Sequence, residues 1–257
     1  MSIESIFGIV LGGGAVGFLL AVFGGGGSVL AAPVLLYLGG VSDAHVAVGS
    51  ASAAVAANAA FNLVGHWRGG RIKWPCAIVF AVAGLIGSLV GSSIAKLISG
   101  QSLLLAFAIA MAAIGLSMFR KPRSAGDPDV HINMKLVLRL APLGLLTGFA
   151  AGFFGIGGGF LIVPGLILAT GMTMANATAS SLLSVAIFGA ATSANYAASG
   201  LVDWTFAGLL LLGGAIGGIA GLFASRALAT RLGLARVLFA CLIILVAIYV
   251  AWRALAG

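Results

Sequence analysis

Ten apolar runs, separated by short polar turns, account for most of this 257-residue chain. They cover about residues 5–23, 28–39, 44–65, 75–98, 102–119, 135–153, 159–170, 174–199, 204–225 and 232–253. Most reach the ~20 residues that a helix needs to cross a bilayer, and none alternates in polarity as barrel strands do. Only 7% of the residues are charged, whereas soluble domains carry about 25%. The sequence therefore predicts an all-α polytopic membrane protein.

The chain contains one unit twice. Residues Gly17–Pro33 read GFLLAVFGGGGSVLAAP, and Gly148–Pro164 read GFAAGFFGIGGGFLIVP, 131 positions later. Further on, Ser50 is paired with Ser181, Gly69 with Gly200 and, after a one-residue shift at Gly70, Trp74 with Trp204. Such internal symmetry predicts two homologous repeats. We predict repeat 1 over residues 1–120, a cytoplasmic linker over 121–134 and repeat 2 over 135–257.

The short runs at 28–39 and 159–170 decide the predicted orientation of the repeats. Twelve helical residues cover about 18 Å, which is too short to span. If each run forms a re-entrant pair with the helix before it, each repeat makes three net crossings and the repeats are inverted. Eleven of the 13 Lys and Arg residues then lie on one side, as the positive-inside rule prefers. If residues 5–39 instead form a single crossing, the Lys and Arg residues are divided less unequally between the two sides of the membrane. We predict a bacterial inner-membrane protein with both termini in the periplasm.

Two glycine-rich segments interrupt apolar runs at matching places in the repeats. Consecutive glycines disfavour a helix, and unwound backbone at membrane depth survives only inside protein or beside a wet cavity. Paired broken helices of this kind indicate a transporter binding site, and their exposed N–H groups favour anions. The candidate substrate-binding residues are Gly24, Gly25, Gly26, Gly27, Ser28, Gly155, Gly157, Gly158 and Gly159. The alternative is that these glycines only permit close helix crossings.

Polar side chains line one face of each of two predicted spans. Ser50, Asn58, Asn62 and His66 follow one another at eight, four and four residues, and Ser181, Ser184, Thr192 and Asn195 form a similar stripe. In lipid such a stripe must face the protein interior. We predict that Asn58, Asn62, Ser181 and Asn195 complete the anion site. The alternative is that they only join helices by hydrogen bonds.

Other functional classes find little support in the residues. Cys76 and Cys241 stand alone, so the sequence predicts neither a metal site nor a disulfide, and we expect no cofactor. Hydrolase and metalloprotease motifs are absent, so we expect no enzymatic activity. Glycines at spacings of three and four in the third long helices, such as Gly84 and Gly214, instead predict smooth packing faces.

The doubled FGxGGG…P pattern, the HxxGGRIKW-like turn at His66–Trp74 and the third-helix glycines resemble the TauE/SafE family of sulfite exporters. The resemblance implies a permease that exports sulfite or organosulfonates such as sulfoacetate. The turn is weaker in repeat 2, where we align Ala197 with His66. The expected partners are a small anion and the lipid bilayer, without nucleic acid. A passive anion channel, a non-transporting scaffold and a homodimeric state stay open.

Overall fold

The computed structural model describes residues 3–119, 126–127, 130, 132–155, 159–227 and 232–256. Its α-helices are α1 (Ile3–Phe23), α2 (Ala31–Pro33), α3 (Ala44–Trp67), α4 (Trp74–Ala95), α5 (Gly100–Ser117), α6 (Met134–Phe154), α7 (Gly159–Thr170), α8 (Met174–Ala197), α9 (Trp204–Ala227) and α10 (Leu232–Ala256). By length and composition, seven segments of the described chain could cross a membrane. The prediction of a helical, multi-pass membrane protein is confirmed.

Polar residues fix where most of the long helices begin. Asp43, Ser99, Asn133, Thr173 and Asp203 each precede a helix and accept a hydrogen bond from a backbone N–H in its first turn. A helix start leaves its first N–H groups without intrahelical partners, and short polar side chains satisfy them. The short loops between apolar runs therefore both turn the chain and cap the next helix.

Helix α1 ends at Phe23, and residues 24–38 fold back along it as a return limb. The return limb is a 3-10 helix over Gly24–Leu30, the single turn α2 and a π-helical turn over Val34–Leu38. Close approaches along the pair join Gly27 to Leu20, Gly12 to Val34 and Gly8 to Leu38. The two limbs therefore run in opposite directions. In the second repeat, Gly165 of α7 likewise lies against Thr147 of α6.

Each repeat packs its first helix on the third long helix of the other repeat. A Cβ on Gly17 of α1 would collide with the carbonyl oxygen of Gly214 in α9, and a Cβ on Gly148 of α6 would collide with that of Gly84 in α4. Only glycine allows the two backbones to approach this closely. The predicted packing role of the third-helix glycines is confirmed.

Helices α3 and α8 are the most buried of the candidate spans and form the centre of the molecule. They are antiparallel, because Gly189 of α8 contacts Ser52 and Ala56 of α3, while Gly49 of α3 contacts Tyr196 near the end of α8. Helix α3 runs parallel to α9, with Asn58 beside Gly214 and Asn62 beside Gly218. Helix α8 is parallel to α4, since Lys73 bonds to Ser180 and Ser88 to Thr192.

The structure corrects the register that we assigned to the repeats between α2 and α4. Ser50 accepts a hydrogen bond from the Asp203 N–H (2.8 Å), and Ser180 accepts one from the Lys73 N–H (3.0 Å). These matching contacts pair Ser50 with Ser180 and not with Ser181. The left-handed glycines agree, because Gly70 (φ 66°) corresponds to Gly200 (φ 71°).

The one-residue shift therefore lies in the loop before α3. Gly40 and its counterpart Gly171 are 131 positions apart, whereas Asp43 and its counterpart Thr173 are one position closer. The shift that we placed at Gly70 is wrong. The residue of repeat 2 that corresponds to His66 is accordingly Tyr196, and the alignment of His66 with Ala197 was also wrong. Both His66 and Tyr196 are buried.

Candidate functional site

A polar ladder of His66, Asn62 and Asn58 follows one face of α3 at successive turns. All three side chains are buried, and the two asparagines face the glycine positions Gly214 and Gly218 of α9. The His66 Nε2 atom lies 3.1 Å from the Ala21 carbonyl oxygen, three residues before the first glycine break. Because a carbonyl oxygen only accepts hydrogen bonds, Nε2 carries a hydrogen. The ladder thus starts beside the end of α1 and leads inward.

Several polar atoms of this ladder have no hydrogen-bond partner among the described residues. They are Nδ2 and Oδ1 of Asn58 and Oδ1 of Asn62, and Ser184 Oγ on α8 is in the same situation. Asn62 uses only its Nδ2, which donates to the Asn58 carbonyl oxygen at 3.0 Å. A buried polar group without a partner costs about 1–3 kcal/mol of stability. Such a group in a native protein calls for an explanation, either a functional role or a bound water molecule or ion.

The first glycine break is closed by a serine of the opposite repeat. The Gly25 N–H donates to Ser181 Oγ at 3.3 Å, and Ser181 in turn donates to the Thr178 carbonyl oxygen at 2.8 Å. Ser28 Oγ donates to the Gly25 carbonyl oxygen at 2.6 Å. Residues 24–28 are all buried. The predicted residues Gly24 to Ser28 and Ser181 therefore do lie together.

At the second break, a serine of repeat 1 contacts the described residue Gly155. Gly155 ends α6 in the left-handed conformation (φ 63°), which a residue with a side chain rarely adopts. Ser52 Oγ lies 2.6 Å from the Gly155 carbonyl oxygen and 2.7 Å from that of Val48. Gly159 begins α7. The candidates Gly157 and Gly158 lie outside the described residues.

A comparison with known proteins agrees with the doubled motif. The family model "Sulfite exporter TauE/SafE" matches residues 9–250, which include both glycine breaks and the ladder. The chain belongs to the TauE/SafE family. The predicted resemblance is thus confirmed, and this TauE/SafE chain is a membrane transporter.

Relatives of the TauE/SafE chain carry compatible names. A "Probable membrane transporter protein" of Xylella fastidiosa (strain 9a5c) is 48% identical over 259 residues, covering 100% of this chain and 99% of the relative. The "Probable membrane transporter protein YunE" of Bacillus subtilis (strain 168) is 25% identical over 248 residues, covering 87% and 89% of the two chains. No solved structure matches the chain.

The two repeats of this TauE/SafE protein differ at the ladder. In the corrected register Phe188 corresponds to Asn58, and it packs on Gly84 as Asn58 packs on Gly214. Thr192 corresponds to Asn62, and its hydroxyl is 3.0 Å from that of Ser88. Repeat 2 therefore fills these positions with a packed ring and a hydrogen-bonded hydroxyl pair. Only repeat 1 keeps the unpartnered amides.

Asn195 lies apart from the other candidates. Its Oδ1 accepts from Lys96 Nζ at 2.8 Å, and its Nδ2 donates to Ser92 Oγ at 2.7 Å. Fourteen residues of α8 separate it from Ser181, which is about 21 Å along a helix. One small anion cannot contact both side chains. Asn195 therefore binds a lysine just after the end of α4 and does not belong to the cluster around Ser181.

The two glycine breaks also lie toward opposite ends of the α3–α8 pair. Gly24 contacts Thr178 and Ser181 in the first turns of α8, whereas Gly155 contacts Val48 in the first turns of the antiparallel α3. The predicted residues therefore fall into two clusters, one at each glycine break, with Asn58 and Asn62 between them along α3. This division follows from the antiparallel arrangement of α3 and α8, which the sequence stripes alone do not reveal.

Proposed function

We propose that this TauE/SafE transporter exports a small sulfur oxyanion or organosulfonate, such as sulfite, across the bacterial inner membrane. The observation that carries the proposal is the buried amide of Asn58, whose Nδ2 donor has no partner among the described residues and lies beside Gly214 of α9. An oxyanion accepts hydrogen bonds from a neutral amide without the cost of burying a second charge. The family name supplies the substrate class.

We extend the proposed site to both glycine breaks. The Gly25 N–H and the Gly155 carbonyl group are engaged by Ser181 and Ser52, and each serine belongs to the opposite repeat. A movement of one repeat against the other would separate these pairs and free the Gly25 N–H for an oxyanion. The glycine backbone lets such a ligand approach closely. Each break then serves as the half-site nearer one face of the membrane.

The membrane orientation that we propose is an inverted pair of repeats with both termini in the periplasm. Three arrangements support it. The return limb is antiparallel to α1, and the equivalent helices α3 and α8 are antiparallel to each other. Helices α5 and α10 are also antiparallel, because Gly115 contacts Ile244 while Gln101 bonds to Ala254. Arg68, Arg71, Lys135 and Arg139 then face the cytoplasm, in accord with the positive-inside rule.

The orientation can be tested at two equivalent turns. Gly69 follows α3 and Ser199 follows α8 at corresponding positions, and both are exposed. In a chain with Cys76→Ala and Cys241→Ala, Gly69→Cys should react with a membrane-impermeant maleimide only from the cytoplasm, and Ser199→Cys only from the periplasm. Labelling of both cysteines from the same side would contradict the inverted arrangement.

The substrate class can be tested with purified protein in liposomes. Vesicles that contain the protein and labelled sulfite should release the sulfite faster than protein-free vesicles. External sulfonate or thiosulfate should compete with sulfite for transport when the protein carries them as well. The same assay with and without a pH gradient tests whether export is driven by protons. If monodisperse protein moves none of these anions, the proposed substrate class is wrong.

A further inference from the structure

A cavity of about 280 Å³ opens where α3 ends against the last turns of α9. His66, Arg68 and Arg71 supply its basic lining, Ser225 a hydroxyl, and Leu222 and Phe223 an apolar wall. The cavity lies at the His66–Trp74 turn, which carries part of the resemblance to the TauE/SafE family. Neither asparagine lines the cavity, and nor does any described residue of the two glycine breaks.

The charge of this cavity is positive and is not balanced by the helices that form it. Asp43 caps the start of α3, and Asp203 caps the start of α9. Each helix has 24 residues, so these carboxylates are about 36 Å away along the helix axes. The Arg71 guanidinium folds over Gly69, at 3.5 Å from the position that a Cβ would occupy there. Two arginines thus line one small concavity.

The cavity also leads to the polar ladder. His66 belongs to both, and its imidazole is buried with Nε2 bound to the Ala21 carbonyl oxygen. One and two turns further along α3 lie Asn62 and Asn58. Gly65, which also lines the cavity, packs on Leu222 of α9. The boundary between α3 and α9 therefore runs from the cavity to the unpartnered amides.

We infer that this cavity is a capture site for a small oxyanion, from which the anion passes to Asn62 and Asn58. Guanidinium groups bind the oxygens of an oxyanion through paired, charge-assisted hydrogen bonds. The dimensions fit an inorganic oxyanion or a short sulfonate with a few water molecules. The inference rests on the proposed function for its route, whereas anion binding at the cavity can be measured without transport.

The test measures equilibrium binding of labelled sulfite to purified full-length protein. Arg68→Gln, Arg71→Gln and the double variant are compared with Arg139→Gln, which removes one charge from an exposed position of α6 at the same end of the molecule. We expect the Kd of the double variant to rise about tenfold or more, as loss of hydrogen bonds to a charged ligand predicts. Arg139→Gln should change the Kd less than about twofold, as expected for an exposed charge outside the site.

Transport kinetics provide a second measurement. In liposomes, the arginine variants should raise the KM for anion presented at the cavity side and leave the maximal rate near that of the unaltered protein. A double variant with unchanged Kd and KM would overturn the capture site and leave the proposed export intact. Conversely, sulfite binding that depends on Arg68 and Arg71, without any flux, would support the site and contradict the proposed function.

Discussion

Replacement of Gly148 by valine is expected to prevent the protein from accumulating in a folded state. The new Cβ would overlap the carbonyl oxygen, Cα and carbonyl carbon of Gly84. Backbone atoms cannot rotate away as a flexible side chain can, so α4 and α6 would have to separate. Overpacking of a core usually costs about 1–3 kcal/mol, and this contact should exceed that range because two helices must move.

Gly208 of α9 provides the matched control, because a Cβ there would meet nothing within 4 Å. Gly208→Val should therefore leave both the yield of monodisperse protein and its melting temperature close to those of the unaltered chain. Gly17→Val, at the equivalent crossing of α1 and α9, should behave as Gly148→Val does. If Gly148→Val yields normal amounts of protein with an unchanged melting temperature, the close helix crossing is not present.

The second large effect is expected from Asn58→Leu, which should abolish transport and raise the melting temperature. Leucine has a similar size and removes two buried polar atoms without partners. Relief of that cost should stabilise the protein by about 1–3 kcal/mol. Transport should be lost because the anion would meet an apolar wall between α3 and α9.

Phe188→Leu is the control for this experiment, since Phe188 occupies the corresponding place in repeat 2 and contacts Gly84. Its shortening should lower the melting temperature and preserve most of the transport rate. The measurements are sulfite efflux from liposomes and thermal unfolding of the purified protein. An Asn58→Leu variant that transports normally would show that the ladder is not part of the anion route.

Much of the architecture follows from physical limits that lipid imposes on the sequence. Backbone polar groups must be satisfied within each crossing segment, so long apolar runs become helices with few alternatives. The boundaries of α7 and α8 accordingly lie close to the apolar runs at 159–170 and 174–199. The packing role of the third-helix glycines was predicted correctly, because small residues that recur every three or four positions lie on one continuous face of a helix.

The register between the repeats could not be read from the residues. Ser180 and Ser181 are adjacent and identical in type, as are Gly69 and Gly70. The hydrogen bonds from Lys73 and Asp203, together with the left-handed glycines, distinguish the true partner of Ser50 from its neighbour. An alignment based on such small residues can therefore be wrong by one position and still pair residues of the same type.

The candidate site was predicted in part for a related reason. Helical periodicity correctly placed Asn58 and Asn62 on one buried face of α3. It does not reveal which helix that face meets, or how far along a neighbouring helix a contact lies. Asn195 was therefore grouped with Ser181, although it is bound to Lys96 at the other end of α8.

The exchange of first helices between the repeats has a consequence for how the protein is made. Gly13, Gly14 and Gly17 of α1 pack on α9, so this part of α1 stays unmatched in the membrane until nearly the whole chain has left the ribosome. The corresponding face of α6 meets α4, which is already inserted. A chain truncated after repeat 1 leaves α1 without α9 and α4 without α6. In the inverted arrangement that we propose, a single repeat could form the same two crossings only by pairing with an antiparallel copy of itself.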